Sequence, residues 1–179
     1  VYTDTLASYG NMSRFMNFQR AVKVNEQVVI AAQGDLSDFQ EIIKKAESLS
    51  TEHYSDATGK SISPREMYCY LGRMLYNRRN KFDPLWNNIV VAGHQDGKGF
   101  LGVVDLVGTC YEEDVVATGM GLYFAITILR KDYKPDMTLE EATTLLKKAA
   151  LVQYYRDKST IDQWQLSVIT GEGATVHPA

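Results

Sequence analysis

Pro84-Leu-Trp-Asn-Asn-Ile-Val-Val-Ala-Gly-His-Gln-Asp-Gly-Lys-Gly-Phe100 is where the hydrophobic period of this chain changes. Before it, apolar residues recur three and four apart, as on a helix face; after Asn88 they run together, as in a buried strand. Proline disfavours helix in the residue before it, so Pro84 closes the helical region. Ile89–Gly93 and Phe100–Val107 then read as two strands joined by the Asp96-Gly97-Lys98-Gly99 turn, an Asp-Gly pair being suited to the positive φ of a tight hairpin.

Working upstream, Ser63, Pro64 and Glu66 mark a helix start with a capping box. Met67, Tyr70, Leu71, Met74 and Leu75 follow at helical spacing. An earlier helix is capped by Asp35, has Asp38 near its first-turn amides, and carries Phe39, Ile42, Ile43, Ala46 and Leu49 as an apolar stripe. Before it, Val22, Val24, Val28 and Ile30 share one parity, and a hairpin turn fits at Asn25-Glu26-Gln27.

Downstream, Val115–Ala117 suggests a short third strand. Gly119-Met120-Gly121 opens a helix with Leu122, Ala125, Ile126 and Leu129 on one face. Thr138 and Glu141 form a second capping box, ahead of Leu139, Ala142, Leu145, Leu146 and Ala149. Trp164–Thr170, Gly171-Glu172-Gly173 and Ala174–Val176 read as a closing hairpin. Strand clusters separated by helix pairs predict an α+β fold with antiparallel sheets and helices on their outer faces, not a doubly wound parallel sheet.

The 179 residues fit one domain, with 45% hydrophobic and 23% charged residues. A net charge of −3 gives no concentrated basic surface for nucleic acid. The short cluster Arg78, Arg79 and Lys81 reads as a solvated face or a subunit contact. Apolar runs such as Val28–Ala32 are too short to cross a bilayer, so no membrane partner is expected. Cys69 and Cys110 lie in otherwise apolar stretches and read as reduced, buried thiols of an intracellular protein.

Four strings go further: Asp4-Thr-Leu-Ala-Ser-Tyr-Gly10, Tyr76-Asn-Arg-Arg-Asn-Lys-Phe-Asp-Pro-Leu-Trp-Asn87, Ala117-Thr-Gly-Met-Gly121 and Tyr154-Tyr-Arg-Asp157. In this order they resemble segments of proteasome beta subunits. The Arg-Arg-x-Lys-x-x-Pro-Leu-Trp-Asn pattern of 78–87 is similar to that of the seventh, non-catalytic beta position. The resemblance implies the four-layer α-β-β-α sandwich of N-terminal-nucleophile hydrolases, built as one beta-type domain over residues 1–179. It also implies that roughly one to two strands of the family domain precede Val1 and that a tail follows Ala179. The implied partners are neighbouring beta subunits, alpha-ring subunits and the opposite beta ring of the 20S core, in cytoplasm and nucleus.

Active members of that family attack the peptide carbonyl with an N-terminal threonine whose own amine is the base. A lysine and an aspartate tune the site, a serine and a second aspartate assist, and a glycine amide stabilises the oxyanion. Asp4 matches the first aspartate, though a turn aspartate bonding its own backbone explains it as well. Gly34 matches the oxyanion glycine, which a strand-to-helix turn also favours. Arg20 stands in place of the lysine and, always charged, cannot exchange protons as lysine does. Met120 stands in place of the serine, and a thioether relays no proton. Asp157 matches the second aspartate and is free to pair with Arg156 or a nearby amide; Thr160 keeps a hydroxyl. These degenerate positions point to a non-catalytic subunit. The alternative is an active threonine peptidase subunit whose nucleophile lies upstream of Val1.

No cofactor is implied. His94 and Asp96 make a poor metal pair without further ligands, and a turn explains Asp96. Gly119-Met120-Gly121 lacks phosphate-loop neighbours, and Glu112-Glu113-Asp114 reads as a solvated run.

Overall fold

A computed structural model of the chain describes residues 1–56 and 59–178. Strand β1 (Tyr2–Asp4) leads into the hairpin β2 (Ala7–Tyr9) and β3 (Met12–Phe15), and then into β4 (Ala21–Asn25) and β5 (Val28–Gly34). Helices α1 (Leu36–Asp56) and α2 (Pro64–Asn80) follow, then β6 (Asn87–Gln95), β7 (Lys98–Val104) and β8 (Cys110–Glu112). Three helices, α3 (Gly121–Phe124), α4 (Ile126–Asp132) and α5 (Leu139–Arg156), precede the hairpin β9 (Trp164–Thr170) and β10 (Gly173–His177).

The strands form a five-stranded antiparallel sheet ordered β4-β5-β6-β7-β8, a three-stranded sheet ordered β1-β9-β10, and the separate β2-β3 pair. Val28, Ile30, Ile89 and Val91 face α1 and α2, joining Phe39, Ile42, Met67, Leu71 and Leu75 in the main core. Their neighbours Val29, Ala31 and Val90 face the other way and meet Ala174, Ile169 and Val176 of the smaller sheet. Burial on both faces explains the unbroken apolar runs, where a half-exposed antiparallel strand would alternate. The helix-sheet-sheet order and the second helical group α3–α5, with its own core of Ala125, Leu129, Leu145 and Ala149, give the α+β sandwich anticipated.

Local signals held where they were strongest. Asp35 Oδ1 accepts from the Asp38 amide at 3.0 Å and caps α1. Both capping boxes are complete, Ser63 with Glu66 and Thr138 with Glu141. The β6-β7 turn puts Asp96 at φ 51° and Gly97 at φ 77°, the doubly left-handed pair that matches strand twist.

Several expectations fail. The third strand of the central hairpin is Cys110–Glu112, not Val115–Ala117. Asp105 Oδ1 accepts from the amides of Val107 and Thr109, which reverses the chain early and sets Cys110 opposite Val104. Val115 and Val116 are apolar for a different reason: they pack on the helical core and the inter-sheet core respectively. The helix after Gly119 is interrupted at Ala125, and Leu122 faces outward at 47% exposure. Leu139 is likewise exposed, because it lies in the first turn of α5, beyond the packed stripe. Both cysteines are free and exposed, not buried, one on the outer flank of α2 and one on an edge strand.

Candidate functional site

Arg20 lies immediately before β4, and its guanidinium reaches back over the β1-β2 junction. Nη1 pairs with Asp4 Oδ1 at 3.5 Å, and Nη2 donates to the Leu6 carbonyl. Burial pushes the Asp4 carboxyl up; the Arg20 charge pulls it back and the nearby Asp157 charge adds to the rise. Arg20 is thus the counter-ion of a carboxylate that would otherwise resist ionising. A guanidinium so engaged positions backbone and moves no proton.

Gly34 closes β5 at φ 134°, and a Cβ there would sit 2.1 Å from the Trp86 carbonyl oxygen. The next residue, Asp35, donates its amide to that same oxygen at 2.9 Å, and Asn87 Nδ2 donates to the Asp35 carbonyl at 2.9 Å. This clasp draws the Pro84–Asn87 string against the start of α1. Trp86 adds an amide bond of 2.8 Å to Asp38 Oδ2, so Asp38 serves the neighbouring loop as well as its own helix.

Asp157 and Thr160 are buried and meet each other. Thr160 Oγ1 donates to Asp157 Oδ2 at 2.9 Å, while the Ser159 hydroxyl and amide donate to Oδ1 at 2.6 and 2.9 Å. Burial opposes ionisation of Asp157, but the Ser159 and Thr160 bonds outweigh it and hold the carboxyl below its ordinary value. Asp157 therefore finds a neighbouring amide, and its work is to close the loop after α5. Replacing it with alanine is expected to cost about 1–3 kcal/mol, the penalty for orphaning buried donors. Because the folded-state carboxyl is depressed, that stability is present above the ordinary carboxyl range and lost as pH falls through the folded value. The gap between wild type and Asp157→Ala in urea midpoint should accordingly shrink below about pH 4.

Met120 precedes α3, is 40% exposed, and stands apart from the cleft that Arg20 and Gly34 line. That cleft holds about 580 Å³, with Ser8 and Arg14 from the β2-β3 hairpin and Phe18, Arg20, Gly34 and Asp35 among its walls. Nothing in the periodicity singled out Arg14 or the hairpin as a wall, since the β2 and β3 side chains are mostly exposed and carry no clear alternation. Among the described residues, the lining carries no lysine, histidine or cysteine, and its carboxylate, Asp35, is spent capping α1. A shaped, partly apolar hollow results, with the Arg14 and Arg20 guanidinium groups in its wall.

Other candidates resolve locally. Arg78 closes its own loop, bonding the Asp83 carboxylate and carbonyl at 2.8 Å each. Glu112 pairs with Arg65 at 3.4 Å.

A family model described as proteasome subunit matches residues 1–169. "Proteasome subunit beta type-4" of Arabidopsis thaliana is 41% identical over 174 residues, covering 97% of this chain and 71% of the relative. The protein of the same name from Dictyostelium discoideum is 42% identical, covering 97% and 68%. "Proteasome subunit beta type-7" of Saccharomyces cerevisiae is 35% identical, covering 94% and 67%.

Proposed function

The chain belongs to the proteasome beta-subunit family, and we propose that within it the chain is a structural, non-catalytic subunit of the 20S core particle at the seventh beta position. The observation that carries this reading is the engagement of Arg20 with Asp4 and the Leu6 carbonyl. Where an active subunit needs a lysine able to shift its pKa beside the nucleophile, this chain has a permanent cation committed to holding two strands together. Met120 supports the same reading, because a half-exposed thioether stands where a hydroxyl would be needed.

The subunit contacts neighbouring beta subunits laterally, an alpha subunit in the adjoining ring, and the opposite beta ring, and it works in the cytoplasm and nucleus. Its contribution to ATP- and ubiquitin-dependent degradation is to complete the ring that active subunits require. Large apolar side chains exposed on separate elements support several such contacts: Tyr9 on β2 at 80%, Tyr123 on α3 at 73% and Tyr155 on α5 at 73%.

The test is labelling of the purified particle with an epoxyketone-type inhibitor, combined with N-terminal sequencing of the mature chain. The active subunits of the same preparation are expected to take the label and this chain to remain unmodified. A covalent adduct on this chain would overturn the non-catalytic reading, and a native mass showing a stable monomer would overturn the assembly.

A further inference from the structure

Three contacts set the register of α2 along the edge of the five-stranded sheet. Arg65 pairs with Glu112, a Cβ on Gly72 would lie 2.5 Å from Cys110 Sγ, and one on Gly108 would lie 2.6 Å from Tyr76 Cβ. Residues 65, 69, 72 and 76 are four, three and four apart, so they form one stripe of the helix. That stripe runs antiparallel to residues 108–112, and Cys69 lies on it between the partner of Glu112 and the neighbour of Cys110. Helix positions three apart hold their Cβ atoms about 5–6 Å from each other, which, with the 2.5 Å at Gly72, puts Cys110 Sγ at most about 8.5 Å from Cys69 Cβ.

Both thiols are free and exposed. Burial raises the Cys110 thiol and the adjacent Cys69 raises it further, as two neighbouring thiols should. Gly72, having no side chain, leaves Cys110 room to turn along the helix toward Cys69. A disulfide needs its Cβ atoms about 3.5–4.5 Å apart. The required shift falls on β8, three exposed residues bonded to the sheet along one side only, the most easily displaced strand of the sheet.

We infer that Cys69 and Cys110 form a reversible thiol switch, closed to a disulfide by a hydroperoxide and reopened by a small-molecule thiol. One thiolate attacks the O–O bond, keeping one oxygen as a sulfenic acid and expelling the other as alkoxide or hydroxide. The second thiolate attacks the sulfenic sulfur, forms the S–S bond and expels hydroxide. The two thiol protons neutralise these leaving groups. Two thiols and one hydroperoxide thus yield one disulfide, one water and one alcohol, or a second water from hydrogen peroxide. Closure staples the sheet edge to the helix layer.

The protein in its native assembly is treated with stoichiometric hydrogen peroxide, denatured with N-ethylmaleimide present, and digested without reduction. Both thiols are expected to disappear together, with a linked Cys69–Cys110 peptide pair two hydrogens lighter than its parts, and dithiothreitol should restore both. Cys69→Ser and Cys110→Ser should each leave a single thiol that ends as a sulfenic or mixed adduct. Separately oxidised or alkylated cysteines without the linked pair would overturn the switch, as would thiols that peroxide leaves intact in the assembly.

Discussion

Gly34→Ala is expected to bring the domain close to unfolding, with a loss of about 2–6 kcal/mol against a typical total of about 5–15 kcal/mol. Two independent effects add. The backbone at φ 134° is in a region that side chains rarely adopt, and holding one there costs about 1–3 kcal/mol. The new Cβ would also meet the Trp86 carbonyl oxygen at 2.1 Å, Asn87 Nδ2 at 2.9 Å and Asn87 Cα at 3.0 Å. None can retreat cheaply, because Trp86 and Asn87 are tied to Asp35 and Asp38 by bonds of 2.8–2.9 Å. Overpacking against a fixed backbone adds about 1–3 kcal/mol. Urea unfolding should show the loss as a lowered midpoint with unchanged slope. Gly99→Ala, whose Cβ would meet nothing within 4 Å, is the control and should shift stability by no more than about 0.5 kcal/mol. Equal midpoints for the two variants would refute the close approach. The same geometry sharpens the meaning of Gly34: the strand-to-helix turn requires glycine whether or not its amide ever served an oxyanion.

What was legible in the sequence was local. Ser63 with Glu66 and Asp96 with Gly97 declare themselves because cap and turn chemistry is settled within four residues. The stripe Met67, Leu71 and Leu75 is legible because one helix face meets one core. β8 was not, because its three residues are all exposed and only the Asp105 turn, five residues before Cys110, puts them on the ladder. Val115 and Val116 misled because apolarity reports burial and not strand; each serves a different core. At the candidate site the residue types were readable and their distant partners were not. That arginine and methionine cannot do the proton chemistry of lysine and serine follows from side-chain chemistry. The reading of Arg20 and Met120 as standing in those places comes from the family resemblance. That Arg20 would be consumed by Asp4, sixteen residues away, depends on a chain crossing that no spacing encodes. The Asp157 bonds to Ser159 and Thr160 are local, two and three residues on, and belong with the legible turn chemistry.

The largest non-local effect is expected at Gln165, a residue with no sequence signal. β4 is an edge strand of the five-stranded sheet, yet its outer edge at Ala21 is buried, with 1% exposure for both Ala21 and Gln165. The Gln165 side chain fills the role of the missing strand: Oε1 accepts from the Ala21 amide at 3.1 Å and Nε2 donates to the Ala21 carbonyl at 3.0 Å. Gln165→Leu keeps most of the volume, so little cavity forms, but it strands a buried amide and a buried carbonyl. At about 1–3 kcal/mol for each orphaned group, the loss should be about 2–6 kcal/mol, read as a lowered urea midpoint. Gln165→Glu separates hydrogen bonding from packing. An ionised carboxylate there can accept from the amide but cannot donate to the carbonyl, and burial must raise its folded-state pKa. A group with a raised pKa is favoured when protonated, so the deficit of Gln165→Glu should be largest at neutral pH and shrink as pH falls through that raised value. The Gln165→Leu deficit should lack that particular pH dependence. A neutral Gln165→Leu variant would mean that Ala21 finds other partners and that the two sheets are held by their apolar faces alone.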